Sequence, residues 1–378
     1  MKVLNIILEA RVGGPQLRIA GVAKELNANF NIETVVVFPK KDSERYRWIL
    51  DKHELKYHTL SLHKLTRNIF RCLEWLIFFI PETLLIKKVI KRENPDIIHC
   101  NGCWQWKGVI AGKLSRKKVI WHLNDSKMGV PIKMAFYFFS KMVDGYIFSG
   151  TRVKSYYSNY LKKGVISAVI DVPVDVGKFD PAKVEPGEKK DDRIKIITVS
   201  NINPVKGLKY FIESAYILNQ KYDNLEFYIV GIKLDSKRNY YEELKSSIRG
   251  FNLKNIHFLG FKDDIPSLLK TTNIFICSSI AEAGPMTVFE AMAMEKAIVS
   301  TDVGSVPDFI KDGENGFIVP IKNPEKLAEK IGMLIENAQL REIFGKRARK
   351  TAVQELDVKI AAQKHMEVYE RIANLNEQ

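Results

Sequence analysis

The sequence predicts an α/β protein made of two Rossmann-like domains with parallel sheets. Short apolar runs rich in Val and Ile alternate with longer helical patterns along the whole chain, which is typical of βαβ units. The runs are almost continuously apolar, as parallel strands covered on both faces must be. The chain has 378 residues. A single hydrophobic core rarely extends over so many residues, so two domains are expected.

The predicted strands fall into two series. The first is Lys2–Ile7, Thr34–Phe38, Asp96–Cys100, Lys118–Leu123, Gly145–Ser149 and Ala168–Val172. The second is Ile194–Ser200, Leu225–Val230, Asn255–Leu259, Ile274–Ser278, Ala297–Thr301 and Gly316–Val319. A linker is predicted at Asp180–Asp192, whose prolines, glycine and charges suit neither strand nor core. The predicted domains are therefore residues 1–180 and 181–355, followed at 356–378 by an amphipathic helix over Leu356–Leu375.

Charge and cysteine content limit the function classes. Residues 1–180 hold 30 Lys and Arg against 16 Asp and Glu, a net charge of +14, whereas the remainder carries +1. The first half is therefore expected to meet an anionic partner: nucleic acid, a phospholipid surface or a phosphorylated substrate. Four cysteines suit a reducing compartment, and the Cys100/Cys103 pair alone is weak evidence for a metal. No membrane span or secretory signal is predicted.

Two loops of the second half, within residues 278–316, are the most informative part of the chain. They follow neighbouring strands, where doubly wound sheets form their ligand crevice. Glu282 and Glu290 flank Gly284-Pro285, so carboxylates and helix-start amides are expected to hold hydroxyls and phosphate. A purely structural alternative for Glu290 is a capping box with Thr287.

Three further segments follow strands. Asn203-Pro204 marks a helix start beside Lys206, which suits an anion. Gly13-Gly14 allows close approach of a ligand, although it is not a dinucleotide fingerprint and a tight turn explains it equally well. His122 stands in a polar cluster at a strand end, where a histidine can be structural or catalytic.

Together these segments resemble the retaining glycosyltransferases of family 4, which have the GT-B fold of two facing Rossmann-like domains. The family's E-x7-E pattern matches Glu282 and Glu290, and its P-x-K-G element matches Pro204 to Gly207. Further matches are D-V-G-x-x-P-D at Asp302 to Asp308, Phe258 to Asp264, Asp312 to Val319, and, less specifically, Gly13-Gly14, Asp96 to His99 and His122.

The resemblance implies a role for each of these residues. Glu290 would bind the ribose of a nucleotide-sugar, Glu282 the donor sugar and Lys206 the diphosphate, with His122 beside the donor sugar. The implied catalytic residues are Glu282, Lys206 and His122; the implied donor-binding residues are Gly13, Gly14, Asn201, Lys206, Glu282, Gly284, Pro285, Met286, Thr287 and Glu290. The family works without a cofactor or metal, so protein cations must stabilise the departing diphosphate. Its last helix returns to the first domain.

Three departures from the family pattern affect the donor site. Asn201 stands where the family usually has an arginine, and we hypothesise that Arg11 replaces that charge. Gly231-Ile232-Lys233 stands in place of Gly-x-Gly, and Val172-Pro173 in place of Asn-Gly. These differences concern donor-loop details rather than the fold.

Two other function classes remain open at this stage. A basic nucleic-acid-binding protein agrees with the charge, but the basic residues are scattered and no recognition module is visible. A nucleotide-sugar-modifying oxidoreductase lacks the expected G-x-G-x-x-G. A nucleotide-sugar donor and a glycan or lipid-linked acceptor are the preferred partners, and nucleic acid is not.

The stretch from His63 to Arg92 brackets apolar residues with basic ones, and Lys133 to Lys163 is similar. It is too interrupted to span a bilayer but suits its interface. We expect attachment to an anionic, cytoplasmic membrane face, with the acceptor or membrane side formed by Arg11, Lys64, Arg67, Arg71, Lys87 and Lys88. The alternative is a pair of helices that cover the first sheet.

Overall fold

The computed structural model describes residues 1–65, 68–125, 128–185, 192–233 and 235–376. The chain forms two units. The N-terminal unit comprises Met1–Val172 together with the segment that starts at Val358, and the C-terminal unit comprises Pro173–Asp357. Part of the predicted linker, residues 186–191, lies outside the described residues.

The N-terminal unit is a parallel sheet with helices in the connections. Its elements are β1 (Lys2–Ile7), α1 (Gly14–Asn29), β2 (Glu33–Pro39), α2 (Glu44–Lys52), β3 (Tyr57–Leu60), α3 (Ile69–Ile77), α4 (Phe79–Glu93), β4 (Ile97–Asn101), α5 (Trp106–Leu114), β5 (Lys118–Leu123), α6 (Val130–Ser140), β6 (Gly145–Phe148), α7 (Thr151–Tyr157) and β7 (Ile166–Val169). The strand order is β3-β2-β1-β4-β5-β6-β7. The sequence analysis missed β3, because this half-buried edge strand carries polar side chains.

The C-terminal unit repeats the pattern with six strands. Its elements are β8 (Ile194–Val199), α8 (Leu208–Asn219), β9 (Leu225–Val230), α9 (Arg238–Gly250), β10 (Ile256–Gly260), α10 (Ile265–Lys270), β11 (Ile274–Cys277), α11 (Met286–Ala293), β12 (Ala297–Thr301), α12 (Val306–Phe309), β13 (Phe317–Val319), α13 (Pro324–Glu336) and α14 (Ala338–Glu355). The order is β10-β9-β8-β11-β12-β13, again with parallel neighbours. The prediction of two Rossmann-like sheets is confirmed.

The last helix, α15 (Val358–Ala373), packs on the N-terminal unit, as predicted. Its residues Ala362, Tyr369 and Ile372 share a core with strand residues of that unit. A Cβ added at Gly145 would lie 2.2 Å from Cδ1 of Ile372, so α15 packs closely on β6 at this glycine. Burial of the apolar face of α15 therefore depends on the first sheet.

Candidate active site

The C-terminal sheet reverses its strand order between β8 and β11, the position at which doubly wound sheets bind ligands. The loops after these two strands are interlocked through their backbones. Ile280 N donates to Val205 O at 2.8 Å. Gly207 has φ +64°, and a Cβ there would lie 1.9 Å from Ser278 O. A glycine is therefore required if the two loops are to meet.

The loop after β12 contacts the loop after β11 at Ala283. Gly304 has φ +52°, and a Cβ there would lie 2.4 Å from Ala283 O. The same carbonyl accepts a 3.0 Å hydrogen bond from Ser305 N. Glu282, next to Ala283, is thus carried by backbone that is fixed from both sides.

Lys206 and Glu282 form an ion pair at this switch point, with 2.7 Å between Nζ and Oε1. Ser279 Oγ donates to the same carboxylate oxygen at 2.7 Å. The Lys206 side chain remains 30% exposed and that of Glu282 13%. The sequence analysis named both residues but not their pairing, because the loops that carry them meet only when β8 and β11 are adjacent.

Glu290 lies in α11, which begins directly after Pro285. The capping-box alternative is wrong, because Pro285 is the N-cap and Glu290 lies beyond the third helical position. The residue is buried, and this burial raises the pKa of its carboxyl group to about 7, against a weaker opposing effect of Lys178. A buried carboxyl group with such a pKa is a candidate for binding a ligand.

Gly284, Pro285, Met286 and Thr287 run from the Glu282 loop into the first turn of α11. Their position supplies helix-start amides that are suited to an anion. Asn201 follows β8, and its Oδ1 accepts from Ile232 N at 3.2 Å, so it ties the loops after β8 and β9 together.

In the N-terminal unit, Gly13 is the N-cap of α1 and donates its N–H to Gln16 Oε1 at 3.1 Å. A Cβ at Gly14 would meet nothing within 4 Å, so the space at the start of α1 is open. Arg11 does not point a free charge into it. Its guanidinium bonds to both carboxylate oxygens of Glu9, which also accepts from Lys64 at 2.6 Å.

Glu9 thus neutralises part of the expected positive edge. Partial burial alone would raise the pKa of its carboxyl group, but the hydrogen bonds from Arg11 and Lys64 outweigh that effect and lower it to about 2. Glu9 is therefore ionised at neutral pH, and its negative charge compensates the positive charge of Arg11.

His122 is fully buried on β5, inside a cluster that sequence analysis did not foresee. Arg18 contacts the His122 ring and donates to Asn101 Oδ1 at 2.6 Å and to Asn124 Oδ1 at 3.0 Å. Arg18 was missed, although it stands on the apolar face of α1 beside Ile19 and Val22, where a charged residue is unusual.

The imidazoles of His99, His122 and His365 bring ligand-type nitrogens within 4.8 Å of one another. Three histidines are a common metal-ligand set, but here a guanidinium occupies one side of the cluster. Burial, together with Arg18, lowers the pKa of all three rings, His365 to about 3. The rings are neutral, and the positive charge beside them disfavours a metal cation. Burial likewise raises the pKa of the Cys100 and Cys103 thiols.

The residues expected on the acceptor or membrane side belong to the segment before and within α3 and α4. Arg71 is exposed on α3, Lys87 and Lys88 lie on α4, and Lys64 precedes α3. Arg67 lies outside the described residues. Among the helices that the structure describes, none combines the length and apolar character needed to cross a bilayer.

Solved structures of other proteins share the fold of this chain. A crystal structure of Anabaena Alr3699/HepE in complex with UDP-glucose superposes with a TM-score of 0.83 at 19% identity, over 99% of this chain and 100% of that one. The chain has the GT-B fold. Residues 180–351 match the family model described as "Glycosyl transferases group 1".

Two curated relatives agree with that match. The N,N'-diacetylbacillosaminyl-diphospho-undecaprenol alpha-1,3-N-acetylgalactosaminyltransferase of Campylobacter jejuni is 31% identical over 220 residues, 56% of each protein. The chain therefore matches about half the length of that relative. The putative glycosyltransferase EpsD of Bacillus subtilis is 26% identical over 304 residues, 73% of this chain and 77% of its own. These proteins give no support to the nucleic-acid-binding or oxidoreductase alternatives.

Proposed function

We propose that the protein is a retaining glycosyltransferase of family 4 that moves a sugar from a nucleotide-diphosphate sugar to a glycan or lipid-linked acceptor. The observation that carries this proposal is the Lys206–Glu282 pair at the switch point of the C-terminal sheet, together with the buried Glu290 in the helix that follows the Glu282 loop. The family match over residues 180–351, which include all three residues, supports it.

In this proposal the donor diphosphate replaces Glu282 as the ion-pair partner of Lys206. The ammonium then faces the oxygens on which negative charge grows as the glycosidic bond breaks, so its effect is largest in the transition state. Glu282, still bonded to Ser279, is released to accept hydrogen bonds from the donor-sugar hydroxyls. Glu290 accepts from the ribose hydroxyls.

Retention of configuration follows if the acceptor attacks from the face that the diphosphate leaves. The acceptor oxygen forms its bond to the anomeric carbon, the carbon–phosphate oxygen bond breaks, and a donor phosphate oxygen takes the acceptor proton. Lys206 and helix-start amides supply the stabilising charge, so no metal is required. Full activity in EDTA is expected, and its abolition would contradict this part of the proposal.

The donor is tested by thermal shift with nucleoside diphosphates and nucleotide-sugars. A ligand at 100 times its Kd should add about 2.7 kcal/mol to the free energy of unfolding. The responding donor is then incubated with glycan and lipid-linked acceptors, and the anomeric configuration of the product is read by NMR. An inverted product would contradict retention, and the absence of any stabilising nucleotide would contradict the function.

We propose that the N-terminal unit attaches to an anionic, cytoplasmic membrane face. Large apolar side chains of α3 and of the start of α4 are exposed, among them Phe70 at 73% and Ile77 at 70%. Trp75 is the buried residue of α3, so this helix does not simply cover the sheet. The second half of α4 does bury an apolar face, which includes Ile86 and Ile90.

A second exposed apolar group lies on α6. Met134 is 74% and Phe138 65% exposed. A chain of rings links the two groups: Trp75 lies 5.6 Å from Trp106, and Trp106 lies 5.3 Å from Phe139. Lys133 lies on α6 and Lys141 directly follows it, and Lys87 and Lys88 lie on α4. An apolar face with a basic rim fits an anionic lipid surface.

Liposome flotation tests the attachment. Anionic vesicles should recover the wild type, and neutral vesicles should recover much less of it. A Phe70→Ser, Ile77→Ser double variant should lose recovery, whereas Trp48→Ser, which removes a 61% exposed ring from α2, should not. Equal recovery with both vesicle types, or none with either, would favour an acceptor that is not membrane-bound.

A further inference from the structure

Arg18 is a buried charged residue of the N-terminal unit. It is 4% exposed, and its hydrogen bonds within the described residues go to His122, Asn101 and Asn124, none of which is a carboxylate. A buried guanidinium is normally paired with an anion, because desolvation of an unpaired charge is costly. Packing alone therefore does not explain why this buried guanidinium has no carboxylate partner among the described residues.

The partners of Arg18 all lie at one functional edge. Asn101 ends β4, His122 lies near the end of β5, and Asn124 follows β5 directly. These are carboxyl ends of neighbouring parallel strands, where sheets of this type meet their ligands. Among the three, Asn101 and His122 are buried, whereas Asn124 is half-buried and reaches the surface.

The buried rings beside Arg18 also hold it in place. Arg18 Nη1 contacts both ring nitrogens of His122, with Nδ1 at 3.2 Å. His122 Nδ1 lies 3.2 Å from His99 Nε2, and His99 Nδ1 lies 2.7 Å from the Tyr369 hydroxyl. This chain ties Arg18 to α15 and leaves it little freedom to move.

Asn124 is oriented by the same contact. Its Oδ1 accepts from Arg18 Nη1, and among the residues that the structure describes the amide nitrogen Nδ2 is the end of the side chain that is left for another partner. An amide N–H at a strand end is suited to an oxygen of a sugar or phosphate group. No protonation change is needed for it to bind.

We propose that Asn124 contacts the substrate in the N-terminal unit through its amide N–H, and that Arg18 is the positioning residue that holds it there. This inference rests on the proposed glycosyl transfer. It names a substrate contact for which the sequence supplied no role, and it explains why the Arg18 charge is kept without a carboxylate: a carboxylate at this position would occupy the guanidinium and offer no donor.

The variant Asn124→Asp separates the two roles, because it keeps the acceptor for Arg18 and the shape of the side chain but removes the N–H donor. We expect kcat/KM to fall about 10- to 100-fold, as for other losses of substrate positioning. The melting temperature should be unchanged or higher. Arg18→Met should show a similar loss of kcat/KM, and Arg18→Lys, which keeps a donor for Asn124 Oδ1, should recover part of it.

The exposed Arg249→Met on α9 is the matched control and should behave as wild type. Activity of Asn124→Asp within twofold of wild type would overturn the proposal, and equal losses in Arg18→Lys and Arg18→Met would contradict the positioning role of Arg18. If Arg18→Met does not fold, Asn124→Asp still decides the substrate contact. A wild type without sugar transfer would contradict the proposed function, whereas undiminished transfer by Asn124→Asp would contradict only the Asn124 contact.

Discussion

The two units share a doubly wound parallel sheet but organise its carboxyl edge in different ways. In the C-terminal unit the loops meet backbone to backbone, and glycines at 207 and 304 make that approach possible. In the N-terminal unit the edge is filled by buried polar side chains around Arg18 and His122. One edge is thus shaped mainly by steric fit, and the other by charge and protonation.

The difference predicts different sensitivities. An added methyl group should damage the C-terminal edge, where there is no space for a Cβ. A change in pH should damage the N-terminal edge, where neutral imidazoles surround a cation. The following experiments test this contrast.

The largest expected effect is acid destabilisation of the N-terminal unit. Burial lowers the pKa of His99, His122 and His365 in the folded protein below the value of about 6.5 in the unfolded chain. The unfolded state therefore binds more protons, so stability is intact above pH 6.5 and is lost as the pH falls from there towards 3. Three such groups can remove about 4 kcal/mol per pH unit.

Tryptophan fluorescence isolates this effect, because all five tryptophans are in the N-terminal unit. The melting temperature it reports should fall between pH 7.5 and 5.5. His365→Gln should reduce the slope by about one third, one histidine of three. His257→Gln, a change on β10 of the other unit, should leave it unchanged. A flat wild-type profile would contradict the contrast.

In the C-terminal unit, Lys206→Ala should lower kcat about 10²- to 10³-fold at saturating donor, because the charge acts on the leaving group in the transition state. Lys209→Ala, which removes an exposed lysine of α8 paired with Glu213, serves as the control and should retain wild-type turnover. Unchanged turnover in Lys206→Ala would remove this residue from the mechanism.

Gly207→Ala tests the steric argument. Gly207 and Gly313 both have positive φ, but a Cβ at Gly313 meets nothing within 4 Å. Gly313→Ala should therefore cost only the backbone strain, about 1 kcal/mol in the free energy of unfolding. Gly207→Ala should cost more, about 3 kcal/mol, and should also weaken nucleotide binding. Equal effects of the two substitutions in denaturant titrations would show that the loop contact is unimportant.

Glu290 connects donor binding to pH. Its carboxyl group has a pKa of about 7, raised by burial, and the ionised form accepts hydroxyl hydrogen bonds. Nucleotide affinity should therefore weaken by up to about tenfold per pH unit below 7. In Glu290→Gln the affinity should be lower at pH 8 and independent of pH, as measured by calorimetry. A pH-independent wild type would argue against the ribose contact.

The same group has the opposite effect on stability. A raised pKa means that folding stability is fully present below about 4.5, the value in the unfolded chain, and is lost as the pH rises through about 7. A fall in pH should thus increase the contribution of Glu290 to stability, whereas it decreases the contribution of the three buried histidines.

The smallest effect is expected for Arg11→Ala. Arg11 is paired with Glu9, so its charge is already compensated. Donor KM should change by less than about twofold, the difference expected for an exposed ion pair. A loss of tenfold or more would support our earlier hypothesis that Arg11 replaces the arginine missing at Asn201.

The sequence by itself determined much of the architecture. Eleven of the predicted strands overlap their observed counterparts by three residues or more, because a buried parallel strand must be apolar throughout and is bracketed by polar turns. Lys206, Glu282 and Glu290 were named from local patterns, since glycines, prolines and charges near strand ends have few other uses. β3 was missed because an edge strand is not required to be apolar.

The tertiary structure alone decided which distant residues meet. Arg18 lies 104 positions from His122 along the chain, and His99 lies 270 positions from Tyr369. No local pattern specifies such pairs, because they depend on strand order and on the return of α15 to the first sheet. The pairing of Arg11 with Glu9 also depends on the tertiary structure. Its partner Glu9 is two residues away, but whether a nearby carboxylate captures a cation depends on the loop conformation that the folded sheet imposes.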